Sequence, residues 1–413
     1  MPFLTTLLIL IVTARLLGQL FSRINQPAII GEMLAGVILG PSLFNLISPT
    51  PALSGISEFA VFLIVLSAGL EMNFKEVIDS MRGKGAVIAL LGFLLPLSGG
   101  ILVGVGFGLD VSRTIFLGLC VSITALPVTI SILQSFKLLD STIARFSIAT
   151  AIFNDIAALL VLGVILNLPE QKSYQAVGSA IFHASWKLIL LMALILAVSL
   201  LIKKAIEKGI HIDLLSEKLV HFIGNEALFG LLLLLVLVFG SVSSALGFHF
   251  VIGAFFGALL IDRTFFLPSR YKELELTLSS ITGGFLAPVF FAYLGLEFKV
   301  QIIDSFWFVA VVLAVSIATK ILAGWLGGRL IGLSKSDALG IGFILNGRGV
   351  MELVIASIAY ERGFIGQDLF SVLVLMGVVT TLITPLMFRK WVLPQLAHPS
   401  RAIDIDSQKG NTD

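Results

Sequence analysis

The sequence predicts an all-α polytopic membrane protein of about 13 transmembrane helices, built as two inverted six-helix repeats that each contain a broken helix. Three observations carry this reading. The 413-residue chain is 57% hydrophobic and only 13% charged, with a mean hydropathy of +1.06, whereas soluble domains carry roughly 25% charged residues. Its apolar runs are long enough to cross a bilayer and are separated by polar or Gly/Pro-containing breaks. Two blocks of sequence also recur in the same order in each half.

In chain order, the runs place spans at 3–21, 28–44, 57–71, 84–107, 113–136, 143–168, 183–208, 221–246, 248–261, 278–298, 306–332, 337–361 and 366–391. The third and ninth are short and read equally as re-entrant or tilted segments. The first has no basic leader and reads as a retained span rather than a cleaved signal. The tail after Trp391 is polar and is expected to be flexible.

The basic residues give an orientation. With the N-terminus outside, the inside loops gather Lys75, Arg82 and Lys84, then Lys203, Lys204, Lys208 and Lys218, then Arg263, Arg270 and Lys272, and finally Arg389 and Lys390. The outside loops hold only Arg113, Lys172, Lys299 and Arg362. Cytoplasmic loops carry the Lys/Arg excess, so the expectation is an external N-terminus and a cytoplasmic C-terminus in the cell membrane.

The repeat supports an odd number of intervening spans. Pro27-Ala28-Ile29-Ile30-Gly31-Glu32-Met33-Leu34-Ala35-Gly36-Val37 resembles His249-Phe250-Val251-Ile252-Gly253-Ala254-Phe255-Phe256-Gly257-Ala258-Leu259. Gly69-Leu70-Glu71 recurs as Gly295-Leu296-Glu297. Spans 1–6 and 8–13 then form oppositely oriented copies, with span 7 as linker. Inverted repeats of this kind are a transporter signature whose site lies near the midplane, on interrupted helices.

The interruptions fall at equivalent places. In span 5, Ser122-Ile123-Thr124-Ala125-Leu126-Pro127-Val128-Thr129 contains Pro127, which removes a backbone donor. In span 12, Gly347 and Gly349 flank Arg348 and favour unwinding. Ordinary kinks without a ligand are the plain alternative for both.

Four charged residues lie deep in these spans. Asp155 sits mid-run, and an intramembrane carboxylate costs several kcal/mol unless protonated, paired or cation-bound, so it reads as functional; a hydrogen-bonded staple between helices is the alternative. Lys320 lies too far into span 11 to snorkel easily and needs a partner, for which Asp155 is the natural candidate. Arg348 and Glu352 are four residues apart on one helix face, and a structural ion pair is the favoured reading of the two. Glu32 reads as part of the scaffold or of a cytoplasmic funnel. Glu71 and Glu297 lie at span ends, where interfacial capping accounts for them.

Other classes are poorly served. One cysteine and five scattered histidines offer neither a disulfide nor a metal-ligand spacing, so no cofactor is expected. No GxxxxGK[ST] string is present for ATP drive. The net charge of +2 points to no nucleic-acid partner, and no constellation reads as an enzyme.

Gln26-Pro27 through Gly40-Pro41-Ser42, Ala68-Gly69-Leu70-Glu71, Thr124-Ala125-Leu126-Pro127-Val128, Phe153-Asn154-Asp155 and Asn346-Gly347-Arg348-Gly349-Val350-Met351-Glu352-Leu353 together resemble the monovalent cation:proton antiporter-2 family, which includes Kef-type systems and plant cation/proton exchangers. The resemblance runs in order over about 3–391. It implies a sodium/proton antiporter-like fold, an elevator mechanism and a homodimer in the lipid bilayer. Residues 1–82 and 221–300 would be scaffold and dimer helices, and 83–170 and 301–391 the moving core where the broken helices cross. Residues 171–220 would be the linker helix and loop, and 392–413 a flexible cytoplasmic tail.

The resemblance also puts the family carboxylate on Asp155 and the span-11 lysine on Lys320. Electrogenic relatives often carry two adjacent aspartates, where this chain has Asn154 first. The implied chemistry is antiport of Na+ or K+ against H+, with Asp155 holding either a proton or an alkali cation. Asn154 and Thr124 would be ligands, Ser122 and Thr129 possible further oxygen donors, and Lys320, Arg348 and Glu352 charges that tune the site. One such carboxylate favours electroneutral one-for-one exchange. A cation channel, a sodium-coupled symporter of an organic anion held by Arg348, and a non-transporting sensor are the alternatives.

Overall fold

The computed structural model describes residues 2–24, 26–72, 83–167, 174–208, 226–261 and 263–397. Among them every regular element is a helix. In order these are α1 (Phe3–Arg23), α2 (Ala28–Leu39), α3 (Pro51–Glu71), α4 (Gly85–Gly106), α5 (Val111–Ser122), α6 (Leu126–Ser135), α7 (Thr142–Ile165), α8 (Tyr174–Glu207), α9 (Glu226–Ala245), α10 (Phe250–Leu259), α11 (Pro268–Ile281), α12 (Ala287–Glu297), α13 (Phe306–Leu330), α14 (Lys335–Ile344), α15 (Val350–Glu361), α16 (Gln367–Trp391) and α17 (Leu393–Ala397). Among the described residues ten helical stretches are long and apolar enough to cross a membrane, counting α5 with α6, α11 with α12 and α16 with α17, while α2 and α10 are shorter apolar helices. The expected tail beyond 397, the loop 209–225 and the first residues of the eighth span lie outside the described residues.

Several expected boundaries move, each for a local reason. The second span stops at Leu39 rather than residue 44, and a turn follows that ends with Asn45 at φ 50°. The third begins at Pro51, not residue 57, and is a full 21 residues. Thr50 caps it through a 3.3 Å bond from Leu53 N, and Pro51 fills the first turn, where its missing N–H costs nothing. Ser54, Gly55, Ser57 and Glu58 hid that start in the hydropathy pattern. The tenth span begins at Pro268 and passes through a π-helical turn over Thr282–Leu286 before α12. Pro288 cannot donate to the carbonyl four residues back, and a π-bulge relieves that conflict.

The chain divides into two compact units. One comprises 1–24, 28–79 and 156–299; the other comprises 25–27, 80–155 and 300–413. The division falls inside α7, just after Asp155.

In the first unit the internal repeat is visible as packing. A Cβ on Gly31 would overlap the Leu17 carbonyl of the preceding helix, and a Cβ on Gly253 would overlap the Phe239 carbonyl of its own preceding helix. Gly69 of α3 approaches the Phe255 carbonyl of α10 at 2.9 Å from its ideal Cβ, and Gly295 of α12 presses on the Met33 carbonyl of α2. Met33 and Phe255 are equivalent positions of the repeated block. The two halves therefore exchange the same contact, which is how a duplicated helix trio pairs through small residues in a membrane protein.

The second unit holds α4, α5, α6, the first part of α7 and α13 to α17. Here α4 packs against α5 and α13, and α13 packs against α14. Ile88, Val128, Ile132, Ile143, Ile341, Ile344, Leu345 and Phe388 form one buried apolar cluster. That cluster surrounds the places where the helical chain is interrupted.

Candidate functional site

The site is built by two interrupted helices. After Ser122, residues Ile123 and Ala125 are extended, at φ −74°, ψ 146° and φ −81°, ψ 122°, before α6 resumes the helix at Leu126. Pro127 therefore lies in the first turn of α6 and the chain opens before it, rather than kinking at the proline itself. A helix ends with four carbonyls lacking intrahelical partners. Here Val121, Ser122 and Ile123 lack one, Cys120 O receives only a long 3.4 Å bond from Ile123 N, and Pro127 has no N–H to return to Ile123. The second interruption runs from Leu345 to Gly349 between α14 and α15.

Two buried cations take the four carbonyls. Arg348, 1% exposed, donates Nη1 to the carbonyls of Cys120 and Ile123, the latter at 2.9 Å, and Nη2 to Val121 O at 2.7 Å. Lys320, fully buried, donates Nζ to Ser122 O, to Gly92 O at 3.0 Å and to Thr124 Oγ1 at 2.7 Å. Both charges thus meet the negative end of the α5 macrodipole, which favours cations. The planar guanidinium fork suits several fixed carbonyls, and the ammonium has three donors for three acceptors.

The interruptions are tied to each other. Ala125 N donates to Gly347 O at 2.9 Å, and Thr124 Oγ1 donates to Leu345 O at 2.9 Å. Thr381 of α16 braces the second break, receiving from Arg348 N at 3.1 Å and donating to Arg348 O at 2.9 Å. Gly349 admits this approach, since a Cβ there would lie 2.8 Å from that of Ala125; a Cβ on Gly347 would lie 3.2 Å from Val128 Cγ1.

Beside this frame sit Asn154 and Asp155, 0% and 1% exposed. Asn154 Nδ2 donates to Ser122 O at 3.3 Å and Thr124 Oγ1 at 3.2 Å. Asn154 Oδ1 and Asp155 Oδ1 have no hydrogen-bond partner among the described residues. Nor does Thr129 Oγ1, while Ser122 Oγ is spent on Leu119 O at 2.6 Å.

Two expectations change against this geometry and a third is met in part. Lys320 forms no ion pair with Asp155 among the described residues; its three hydrogens already face carbonyls and a hydroxyl. Thr124 Oγ1 receives two bonds and gives one, so both lone pairs are occupied and it positions its neighbours in this arrangement. The expected ion pair of Arg348 and Glu352 is present, at 3.9 Å. The guanidinium is committed to α5, and both Glu352 oxygens lack hydrogen-bond partners among the described residues.

Gly92 and Thr381 were not singled out from the sequence. Gly92 acts through its carbonyl, which no side chain advertises. Thr381 stands among Thr380 and Thr384, whose hydroxyls bond their own helix and mask it. Outside the interruptions, Glu297 accepts from Tyr293 Oη at 3.0 Å at the end of α12, and Glu32 is buried in α2.

The family of transmembrane sodium/hydrogen exchangers matches residues 7–393. The chain belongs to this family. Among curated relatives it is 27% identical to a Na(+)/H(+) antiporter of Enterococcus hirae, covering 94% of this chain and 98% of that one. It is 25% identical to the Na(+)/H(+)-K(+) antiporter GerN of Bacillus cereus, over 92% and 94% of the two chains. The sodium proton antiporter MjNhaP1 of Methanocaldococcus jannaschii shares the fold, with a TM-score of 0.67 at 20% identity over 97% of this chain and 99% of that one. The exchanger chain is thus a multi-pass membrane protein with an antiporter fold, as the motif resemblance implied.

Proposed function

We propose that this exchanger is a secondary active transporter that trades Na+ or K+ for H+, with Asp155 as the group both cargoes share. The observation that carries the reading is Asp155 Oδ1, buried and without a hydrogen-bond partner among the described residues while the nearby cation Lys320 has spent all three of its hydrogens elsewhere. A carboxylate in that setting is neutralised by a proton or by a metal cation, and one site holds one of them at a time. Asn154 Oδ1, also without a partner, is the nearest neutral oxygen in sequence, the donor type that a hard cation favours. Thr129 offers a further unused hydroxyl, one turn into α6.

Loading then controls movement. A neutralised carboxylate crosses the low-dielectric barrier with the second unit acting as an elevator, while the empty anion is held back by the cost of desolvating an unpaired charge, several kcal/mol. That penalty couples the two flows. One-for-one exchange is electroneutral. The working form is a homodimer in the cell membrane with the N-terminus outside and the C-terminus cytoplasmic. Anion symport is disfavoured because the Arg348 guanidinium is committed to carbonyls rather than open to a carboxylate substrate.

The test is proton flux in proteoliposomes loaded with a pH dye. Outward gradients of Li+, Na+, K+ and Rb+ are imposed in turn, and the active cations rank selectivity. Exchange is expected at the same rate with the membrane potential clamped at zero or at a negative value. Cation loss without proton movement would support a channel instead, and a rate that follows the potential would contradict electroneutrality.

A further inference from the structure

The helix that carries Asp155 has a second polar feature that the exchange reading does not use. Ser147 and Thr150 are both 0% exposed, and neither hydroxyl has a hydrogen-bond partner among the described residues. Among the described residues the buried hydroxyls of Ser57, Thr129 and Thr282 share this state, but they lie singly on other helical segments. Ser98, Thr319, Thr380 and Thr384, on other spanning helices, each return their hydroxyl to a carbonyl four residues back, at 2.8, 2.7, 2.7 and 2.7 Å. Back-bonding is the ordinary way for a membrane helix to satisfy a hydroxyl. Ser147 and Thr150 make no such bond to their own helix.

Their spacing aligns them. At about 100° per residue, Ser147, Thr150 and Asn154 fall within about 60° of one another on α7. The row begins about one and a half turns beyond the exposed Thr142 and about half a turn beyond the exposed Arg145, and reaches Asn154, which precedes Asp155, about 10 Å further along the axis. Every member of the row keeps an oxygen without a partner, Ser147 Oγ, Thr150 Oγ1 and Asn154 Oδ1, and so does Asp155 Oδ1, on the next residue, about 100° round the helix from Asn154. The row also touches the charged frame. An ideal Cβ on Gly92 would lie 2.9 Å from Thr150 Cγ2, and the carbonyl of that same Gly92 holds Lys320.

We propose that Ser147 and Thr150 form a proton path along α7, linking the end of the helix near Thr142 to Asp155. The inference rests on the exchange reading for its destination. Wholly buried side chains leave no room for a hydrated alkali ion, whereas a proton needs only successive hydrogen bonds. Each hydroxyl accepts a proton on a lone pair and releases its own onward through an intervening water. The net change is one proton taken from solution at the Thr142 end and one O–H bond formed on the Asp155 carboxylate. The cation reaches Asp155 by another route.

Two measurements test this. The first is independent of transport. After a pH jump, the Asp155 carboxyl, followed by its infrared C=O band, is expected to protonate about tenfold or more slowly in Thr150→Val than in the parent. Ile152→Val, on another face of α7, should protonate Asp155 at the parental rate. The second is proton flux. Thr150→Val should slow cation-driven proton movement by about tenfold or more, while Thr150→Ser, which keeps the hydroxyl, should remain within about twofold of the parent. Protonation of Asp155 at the parental rate in Thr150→Val, or a Ser147→Ala/Thr150→Val double variant that exchanges at the parental rate, would overturn the path. So would a Thr150→Ser variant as slow as Thr150→Val, because shape rather than the hydroxyl would then matter. A parent whose Asp155 protonates as expected but that moves no protons against a cation gradient would instead refute the exchange reading.

Discussion

Asp155→Asn is expected to reduce cation-driven proton movement to the level of protein-free liposomes while leaving the protein folded. Asparagine keeps the shape of the side chain and its neutral hydrogen-bonding capacity but can bind neither a proton at working pH nor a cation as a counter-charge. The carboxyl is 1% exposed with Oδ1 unpartnered among the described residues, so removing it deletes no contact on which the frame depends. Replacing a buried unpaired ionisable group with a neutral one is neutral or stabilising. The melting midpoint in detergent should therefore hold or rise as transport disappears. An inactive variant that also melts early would assign Asp155 to the scaffold.

Arg348→Ala should fail in the opposite way, through stability first. Alanine leaves the carbonyls of Val121 and Ile123 without their donor, leaves Cys120 O with only the 3.4 Å bond from Ile123 N, and strips the only cation within 4 Å of Glu352 among the described residues. Removing one partner from a buried charged network costs roughly 3–5 kcal/mol. A marked fall in melting midpoint and in the yield of folded protein is expected. Arg348→Lys should recover part of it, since an ammonium restores charge but cannot reach three carbonyls with a rigid fork. Thermal unfolding followed by tryptophan fluorescence measures both. A variant of parental stability would mean that the carbonyls find other partners and that Arg348 serves something other than the α5 end.

How far the sequence could be read follows from what each feature is made of. Apolar runs revealed where most helices lie because crossing a bilayer needs a fixed length of apolar chain. They misplaced the start of α3, although Thr50-Pro51 was a readable helix-start signal, because the polar residues just after it outweighed it. The repeat was legible because small residues are required at the helix contacts, and Gly31, Gly69, Gly253 and Gly295 each meet a carbonyl. Pro127 correctly marked an interruption but not its place, since proline is at home in a first turn and the opening lies upstream.

The hydrogen-bond partners of Lys320 and Arg348 were not legible, although the Arg348–Glu352 ion pair was. Pairing charges by sign led to Asp155 and Glu352, whereas the structure pairs both cations first with the carbonyl end of a half-helix. Backbone groups carry no residue identity, so a dipole end created by a break becomes visible only once the break is placed in three dimensions. Asp155 was recognisable because a carboxylate in an apolar run has few ordinary explanations. Ser147 and Thr150 were not, because hydroxyls in membrane helices usually have one.

The most direct test of alternate loading is the release of protons on cation binding. Purified protein in a weakly buffered, slightly acidic solution is titrated with Na+ and with K+ while the pH is recorded. Displacement from one shared carboxyl gives one proton released per chain at saturation with the transported cation, and none from Asp155→Asn. Cation binding that releases no proton, or release that persists in Asp155→Asn, would contradict a single carboxylate serving both cargoes.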